Sequence, residues 1–287
     1  MKKFIVILIV ILTLSGCGAP RLGSAAPPEE MNTERASVQP ALRDPVPQAG
    51  PALREALTLS IPEGYTLVRI GMALEEMGVA TAAEFVEAAQ TLDFSGFPLL
   101  GQMPQNPGRF FALEGYLFPG VYKIYPSEPP ESIIRRILLA AEDNIDEGLR
   151  RDIAQSGRTV DEVMILASII QRESLGSDDA KPLVSAVIHN RLNTGMMLQM
   201  CKTSFYVRDY INLFYEGESD RFHAYYNTYM FRGLPAGPIC NPGLSAIRAA
   251  LSPAQADYFF YIWDEYDNFH FAATWEEHVA NVEKYLR

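Results

Sequence analysis

The sequence predicts an α+β fold, and three observations carry that expectation. Short strand-like runs stand at Leu57–Ile61, Tyr116–Tyr125, Tyr258–Trp263 and His270–Ala272. Between them lie apolar-periodic segments that open on capping residues, as helices do. A Pro- and Ala-rich stretch with no apolar period precedes all of them. In order, this gives a small strand–helix–helix unit with a return strand over residues 54–126, then a larger mixed part over 127–287.

The N-terminus has the parts of an export segment. Met1-Lys2-Lys3 is positive, Phe4 to Leu14 is apolar, and Leu14-Ser15-Gly16-Cys17 supplies a small-residue exit. This is the pattern of an export signal over residues 1–17, too short to span a bilayer comfortably. The ending resembles the lipobox of bacterial lipoproteins, which makes Cys17 the lipidation candidate. A plain N-terminal anchor with an incidental cysteine is the alternative, and either reading leaves the protein outside the cytoplasm. Residues 18–53 cannot bury enough apolar surface to fold and are expected to form a tether of about 30 Å reach.

Charge and cysteine usage narrow the function classes. A formal net charge of −11 argues against nucleic acid, whose binding is dominated by cationic contacts to phosphate. With Cys17 lipidated, Cys201 and Cys240 remain, and two spare thiols in an exported chain invite a disulfide. Two independent, half-buried cysteines are the other possibility. No Cys-x-x-Cys occurs and the four histidines are scattered, so neither zinc nor another metal or cofactor is expected.

Leu57-Thr58-Leu59-Ser60-Ile61 alternates like a half-buried strand and closes at Pro62-Glu63-Gly64. Thr66 can cap a helix through Val68, Ile70, Met72 and Leu74. Thr81 with Glu84 forms a capping box for the next. Tyr116 to Tyr125, interrupted at Pro119-Gly120, could return to pair with the first strand. Glu131 to Glu147 reads as one helix. Further on, a helix from near Asp179 through Val184, Val187, Ile188 and Leu192 stops at Gly195.

An aromatic-rich loop with Phe205, Tyr206, Tyr210, Phe214 and Tyr215 then precedes Tyr225-Tyr226-Asn227-Thr228-Tyr229. Aromatics interleaved with amides suit sugar rings, although such a stripe also suits a core. Gly233 to Gly243 is turn-dense and rigid. Helices are expected over Leu244–Leu251 and after the capping box Thr274/Glu277, with a buried strand at Tyr258–Trp263 between them.

The chemistry concentrates on one helix. Thr159 and Glu162 form a capping box, and Val163, Leu166, Ala167 and Ile170 make one apolar face at i, i+3, i+4 and i+7. Three residues on, that stripe reaches Glu173. Desolvation and the negative end of the helix dipole both disfavour its ionised form, the setting a general acid needs near neutral pH. A Glu at a frayed helix end, facing solvent or paired with Arg172 or Arg191, is the bland alternative.

Taken together, these residues resemble the YceG-like endolytic murein transglycosylases, known as MltG. The resemblance runs from about Leu57 to Arg287. It rests on Leu113-Glu114-Gly115-Tyr116-Leu117-Phe118-Pro119, on Leu166 to Ile170 with Glu173, and on Asn190-Arg191-Leu192 with Gly195-Met196 and Leu198-Gln199. Tyr226 to Tyr229, Gly233-Leu234-Pro235, Gly237-Pro238-Ile239, Asn241-Pro242-Gly243 and the terminal His270, Phe271, Thr274, Glu277-His278, Asn281-Val282 and Tyr285 complete it.

The resemblance implies a small LysM-like subdomain before a mixed α/β lytic transglycosylase subdomain. It implies cleavage of peptidoglycan glycan strands between N-acetylmuramic acid and N-acetylglucosamine, leaving 1,6-anhydro ends. It also implies a role in limiting new strand length at the membrane, beside cell-wall synthases. The catalytic acid falls on Glu173. Asn190, Gln199, Thr203, Tyr226 and Asn227 are expected to orient the sugar or the Glu. Met200-Cys201-Lys202-Thr203 departs from a Ser-Asp-Pro-Thr run common in such proteins, and a Cys201–Cys240 bridge could fix that loop instead. A cell-wall glycan-binding lipoprotein without activity is the alternative function. A water-using muramidase, with Glu114 as second carboxylate, is a further one.

Overall fold

In the computed structural model, which describes residues 55–174, 176–214 and 219–286, the first strand β1 (Leu57–Ile61) pairs antiparallel with β2 (Gly120–Ile124). Leu59, Ile61, Tyr122 and Ile124 alternate inward, as the period of two requires. The export segment, the tether and Cys17 lie outside the described residues. Among the described residues no helix is long and apolar enough to cross a membrane.

Between the two strands run α1 (Leu67–Glu76), α2 (Ala82–Thr91) and the single turn α3 (Pro98–Gly101). Thr66 caps α1 by accepting the Arg69 N–H, and Thr81 with Glu84 forms the expected capping box of α2. The return strand is shorter than expected. Pro119 offers no N–H to a ladder, and residues before it are spent elsewhere: the Leu117 N–H on Asn241 Oδ1 at 2.8 Å, the Tyr116 hydroxyl on Asp161 at 2.7 Å.

Next come α4 (Pro130–Asn144), α5 (Glu147–Gln155), α6 (Val160–Glu173) and α7 (Ala180–Asn193). The helix expected over Glu131–Glu147 is two helices. The chain leaves helical backbone at Ile145, and the Asp146 side chain caps α5 through the Leu149 N–H. Although α4 lies past residue 126, it packs on α2 and β2.

The central element is α6. Its capping box, Thr159/Glu162, forms as expected, but the helix is buried nearly all round and not on one face. A helix apolar on every side suits the middle of a protein. Here α7 and the helix Leu244–Leu251 pack along it, while α5 and the helix Cys201–Tyr206 also contact it.

The described part of the aromatic segment expected as a loop is helical: α8 (Cys201–Tyr206), a π-helical turn (Val207–Ile211), α9 (Asn212–Phe214) and α10 (Ser219–Tyr226), with Tyr215 outside the described residues. Its buried residues Thr203, Tyr206, Val207 and Ile211 follow helical spacing, which the low helix preference of aromatic and β-branched residues masked. Residues 233–243 are irregular, as expected. Ser168 Oγ and Gln171 Oε1, three residues apart on α6, accept the N–H groups of Ile239 and Gly243 at 3.0 and 3.1 Å.

The chain ends with α11 (Leu244–Leu251), an antiparallel hairpin of β3 (Phe260–Trp263) and β4 (Phe269–Ala272), and α12 (Trp275–Tyr285). On β3 only Ile262 is buried, so this strand is half-exposed where a buried one was expected.

The expected Cys201–Cys240 bridge is not formed; both thiols are free. Cys240 is fully buried, with Sγ donating to the Ser168 carbonyl at 3.3 Å. Cys201 opens α8 and lines a cleft, so the two thiols have different surroundings.

Candidate active site

Glu173 is the last residue of α6 and is only 2 % exposed. Its side chain enters a cleft of about 420 Å³ lined by Arg191, Gln199, Cys201, Tyr229, Tyr261 and Trp263, among others. The carboxyl group meets two donors. The Lys202 N–H reaches Oε1 at 3.3 Å and the Tyr261 hydroxyl reaches Oε2 at 2.9 Å. Burial raises its pKa above the usual carboxylate range, and these two donors with the Lys202 and Arg172 charges only partly oppose that. A carboxylic acid that keeps its proton toward neutrality, in an open cleft, can act as a general acid.

The walls combine flat rings and polar edges. Tyr261 stacks obliquely near Trp263 and Phe269, and the Lys202 ammonium lies over the Trp263 ring at 5.8 Å. Tyr229 is half-exposed at the rim. Aromatic faces beside amide and guanidinium groups fit a pyranose, which has apolar faces and hydroxyl edges.

Of the five side chains expected to orient substrate, the structure brings one to this cleft. Gln199 lines it, at a left-handed φ of +52°, with its N–H donating to the Thr228 carbonyl at 3.1 Å. Thr203 is fully buried behind the wall. Its hydroxyl bonds the Met200 carbonyl at 2.7 Å and meets Thr228 Oγ1 at 3.1 Å, which fixes the Gln199–Met200 turn. Asn227 accepts the Tyr229 N–H and so shapes the turn that presents Tyr229. Tyr226 is a core residue against Tyr206, with ring centres 5.2 Å apart. Asn190 donates to the carbonyls of Ala256 and Tyr258, both at 2.9 Å, and pins the approach to β3.

Four cleft residues escaped the sequence reading as site residues: Arg191, Tyr229, Tyr261 and Trp263. Arg191 is 7 % exposed and donates to the carbonyls of Phe259 and Leu198, both at 2.7 Å. Its place in the Asn190-Arg191-Leu192 block and its naming as a possible partner of Glu173 were the available hints. Tyr261 and Trp263 stand on a strand whose alternation shows two faces without telling which one a distant helix end will meet.

Glu114 does not line this cleft. It is buried and accepts the Leu67 N–H at 3.0 Å, the Tyr206 hydroxyl at 3.0 Å and Asn241 Nδ2 at 3.1 Å. Burial pushes it up to about 8, against the pull of the Leu67 N–H and the Tyr206 hydroxyl toward the ionised form. Among the described residues that line the cleft, Glu173 is the one carboxylate. A larger hollow of about 660 Å³ between α5 and α11 is rimmed by Asp146, Asp152 and Arg248 and holds no buried acid. Among the described residues no group of three or more His, Cys, Asp or Glu could hold a metal ion.

Fold and site together define a class: an α+β protein with one buried carboxylic acid at a helix end, in an aromatic-walled cleft. Within that class, residues 32–284 match the YceG-like family model, and the chain belongs to this family.

It is 31 % identical over 247 residues to a protein of Streptococcus pneumoniae serotype 2 (strain D39 / NCTC 7466) named endolytic murein transglycosylase. That match covers 80 % of this chain and 44 % of the relative. A Bacillus subtilis (strain 168) protein of the same name is 32 % identical over 179 residues, covering 61 % and 48 %. The chain thus spans less than half the length of these relatives. Among solved structures, a putative yceG-like protein from Listeria monocytogenes superposes with a TM-score of 0.67 at 28 % identity, over 78 % of this chain and 75 % of that one.

Proposed function

We propose that this protein is an endolytic peptidoglycan lytic transglycosylase. It cleaves the bond from N-acetylmuramic acid to N-acetylglucosamine within glycan strands and leaves a 1,6-anhydro-N-acetylmuramic end. The observation that carries this reading is Glu173, a buried carboxyl held toward its acid form and the one carboxylate among the described residues of its cleft. The names of the relatives support it.

The reaction needs a single carboxyl group. Protonated Glu173 gives its proton to the glycosidic oxygen as the bond from C1 of the muramic residue breaks. The carboxylate so formed takes the proton of that sugar's 6-hydroxyl, whose oxygen closes on C1, and the acid is restored. No water is consumed. The tethered hydroxyl has a high effective concentration, which offsets the want of a second catalytic group. Hydrolytic glycosidases usually set a second carboxylate across the bond to direct water or attack the sugar. Glu114, the one candidate for that part, is taken up by α1, α8 and the 233–243 loop.

The finer parts of the proposal come from the N-terminal sequence and the family. Cys17 carries the lipid that holds the protein at the outer face of the cell membrane, and residues 18–53 tether it. Residues 54–126 are a LysM-like subdomain with its return strand, and cell-wall synthases supply the nascent strand whose length the cleavage limits.

The test is digestion of purified peptidoglycan by the soluble part, beginning near Leu53, and by its Glu173→Gln variant, with product ends identified by mass spectrometry. Anhydro ends from the unaltered protein alone are expected. Reducing muramic acid ends would instead indicate a hydrolase. Glycan binding by both proteins, with product from neither, would indicate a binding protein without activity.

A further inference from the structure

The Tyr261 hydroxyl has one proton and two acceptors within reach: Glu173 Oε2 at 2.9 Å and Met200 Sδ at 3.2 Å. Glu173 Oε1 faces the Lys202 backbone N–H, at 3.3 Å. These two donors differ in kind. A backbone N–H cannot turn away from its acceptor, whereas a phenolic hydroxyl rotates about its C–O bond.

Resting on the reading of Glu173 as acid and then base, we propose that Tyr261 is its positioning residue, a donor with two settings that serves both protonation states. When Glu173 is ionised, the hydroxyl donates to Oε2, because a carboxylate is a far stronger acceptor than a thioether. When Glu173 takes up its proton, the fixed Lys202 N–H keeps Oε1 as the carbonyl oxygen, so the proton resides on Oε2. A donor can no longer face it there, and the Tyr261 hydroxyl turns to Met200 Sδ while its own oxygen accepts from Oε2–H. Transfer of the proton to the glycosidic oxygen reverses the turn. The hydroxyl comes back to Oε2 and stabilises the carboxylate that must next collect the proton of the 6-hydroxyl. Neither state leaves a buried polar group without a partner, a cost a residue that is acid and base in turn would otherwise meet once per cycle.

The other charged or titratable groups facing Glu173 are Arg172 on its own helix, Arg191 on α7, Cys201 and Lys202 on α8, and Tyr229 after α10. Cys201 and Tyr229 are held above their ordinary values, with burial the largest cause. Among the described residues of this cleft, Glu173 is the one carboxyl group, and burial raises it above its ordinary value.

The two acceptors predict shifts of opposite sign. In Tyr261→Phe the carboxylate loses its donor, and the Glu173 midpoint moves up. In Met200→Leu, which nearly conserves volume, the acid form loses the alternative acceptor, and the midpoint moves down. Met200→Gln restores an acceptor and should return it toward or above that of the unaltered protein.

The measurement is infrared titration of the Glu173 carbonyl stretch in carbon-13-glutamate protein, taken as the difference from Glu173→Gln and read beside the pH profile of peptidoglycan cleavage. Opposite shifts, followed by the alkaline limb of kcat/KM, are expected. Shifts of one sign in both variants, or none in Met200→Leu, would overturn the proposal, and thermal melts would show each variant to be folded. The spectroscopic readout needs no turnover. Opposite shifts in a protein that forms no anhydro ends would therefore sink the lytic reading and leave the two-setting donor standing.

Discussion

The Arg109 guanidinium lies 2.6 Å from the Asp161 carboxylate, and both side chains are sealed from solvent, at 4 % and 5 % exposure. Tyr116 donates to the same carboxylate at 2.7 Å, so the first turn of α6 is locked to the 109–116 turns. Removing one partner of such a pair leaves the other charge buried without compensation, which costs about 3–5 kcal/mol. Arg109→Met is expected to lose that much in urea unfolding. Asp161→Asn should lose somewhat less, because the amide oxygen still accepts.

Glu114 makes stability depend on pH. Its folded value, about 8, lies above the ordinary 4.5. Its contribution is therefore whole below about 4.5 and is lost as pH rises through about 8, since the unfolded chain gives up the proton first. The melting temperature should fall across that window. Glu114→Gln should flatten the fall while lowering stability throughout, because an amide donor would face Tyr206 or Asn241. A window unchanged by the substitution would assign the effect to another group.

The same sign applies to Glu173. Its raised value means the folded state resists ionisation, at a cost that grows as pH rises. Glu173→Gln is expected to abolish anhydro-product formation, yet melt at or above the temperature of the unaltered protein at neutral pH. A large loss of stability in this variant would mean that the carboxylate has a structural part in the fold.

Gln199 holds a left-handed backbone at the cleft wall, a conformation costing a non-glycine residue about 1–2 kcal/mol. Gln199→Gly should leave stability unchanged or raise it by up to about 1 kcal/mol, glycine's entropy cost offsetting part of the relief. Cleavage should fall through a higher KM, because the side chain lines the cleft. Equal activity in the two proteins would remove Gln199 from substrate binding.

Thiol titration separates the two free cysteines. Half-exposed Cys201 should react with a small disulfide reagent in the native protein, slowly because burial and the Glu173 charge hold its thiol protonated. Cys240 should react only on unfolding, and a reductant should leave the melting temperature unchanged.

Local physics made much of this protein legible. Thr66, Thr81, Thr159 and Thr274 announce helix starts because a side-chain oxygen meets an N–H two or three residues on, a relation contained within one turn. The stripe from Val163 to Ile170 carried its period to Glu173 and so foreshadowed that side chain's burial, whereas its choice as candidate acid came from the family resemblance. The break at Ile145 was marked by Asp146, a capping residue hidden inside a continuous apolar pattern.

What the tertiary structure decided is which distant groups meet. Tyr261 reaches Glu173 across 88 residues, and Asn241 reaches Glu114 across 127. No periodicity specifies such approaches, because packing of whole elements sets them. For the same reason Asn190, Thr203 and Tyr226 could be singled out by residue type, yet face backbone carbonyls or the core while Arg191 and Trp263 face the cleft. Hydrogen-bonding capacity belongs to the residue, but its direction belongs to the fold.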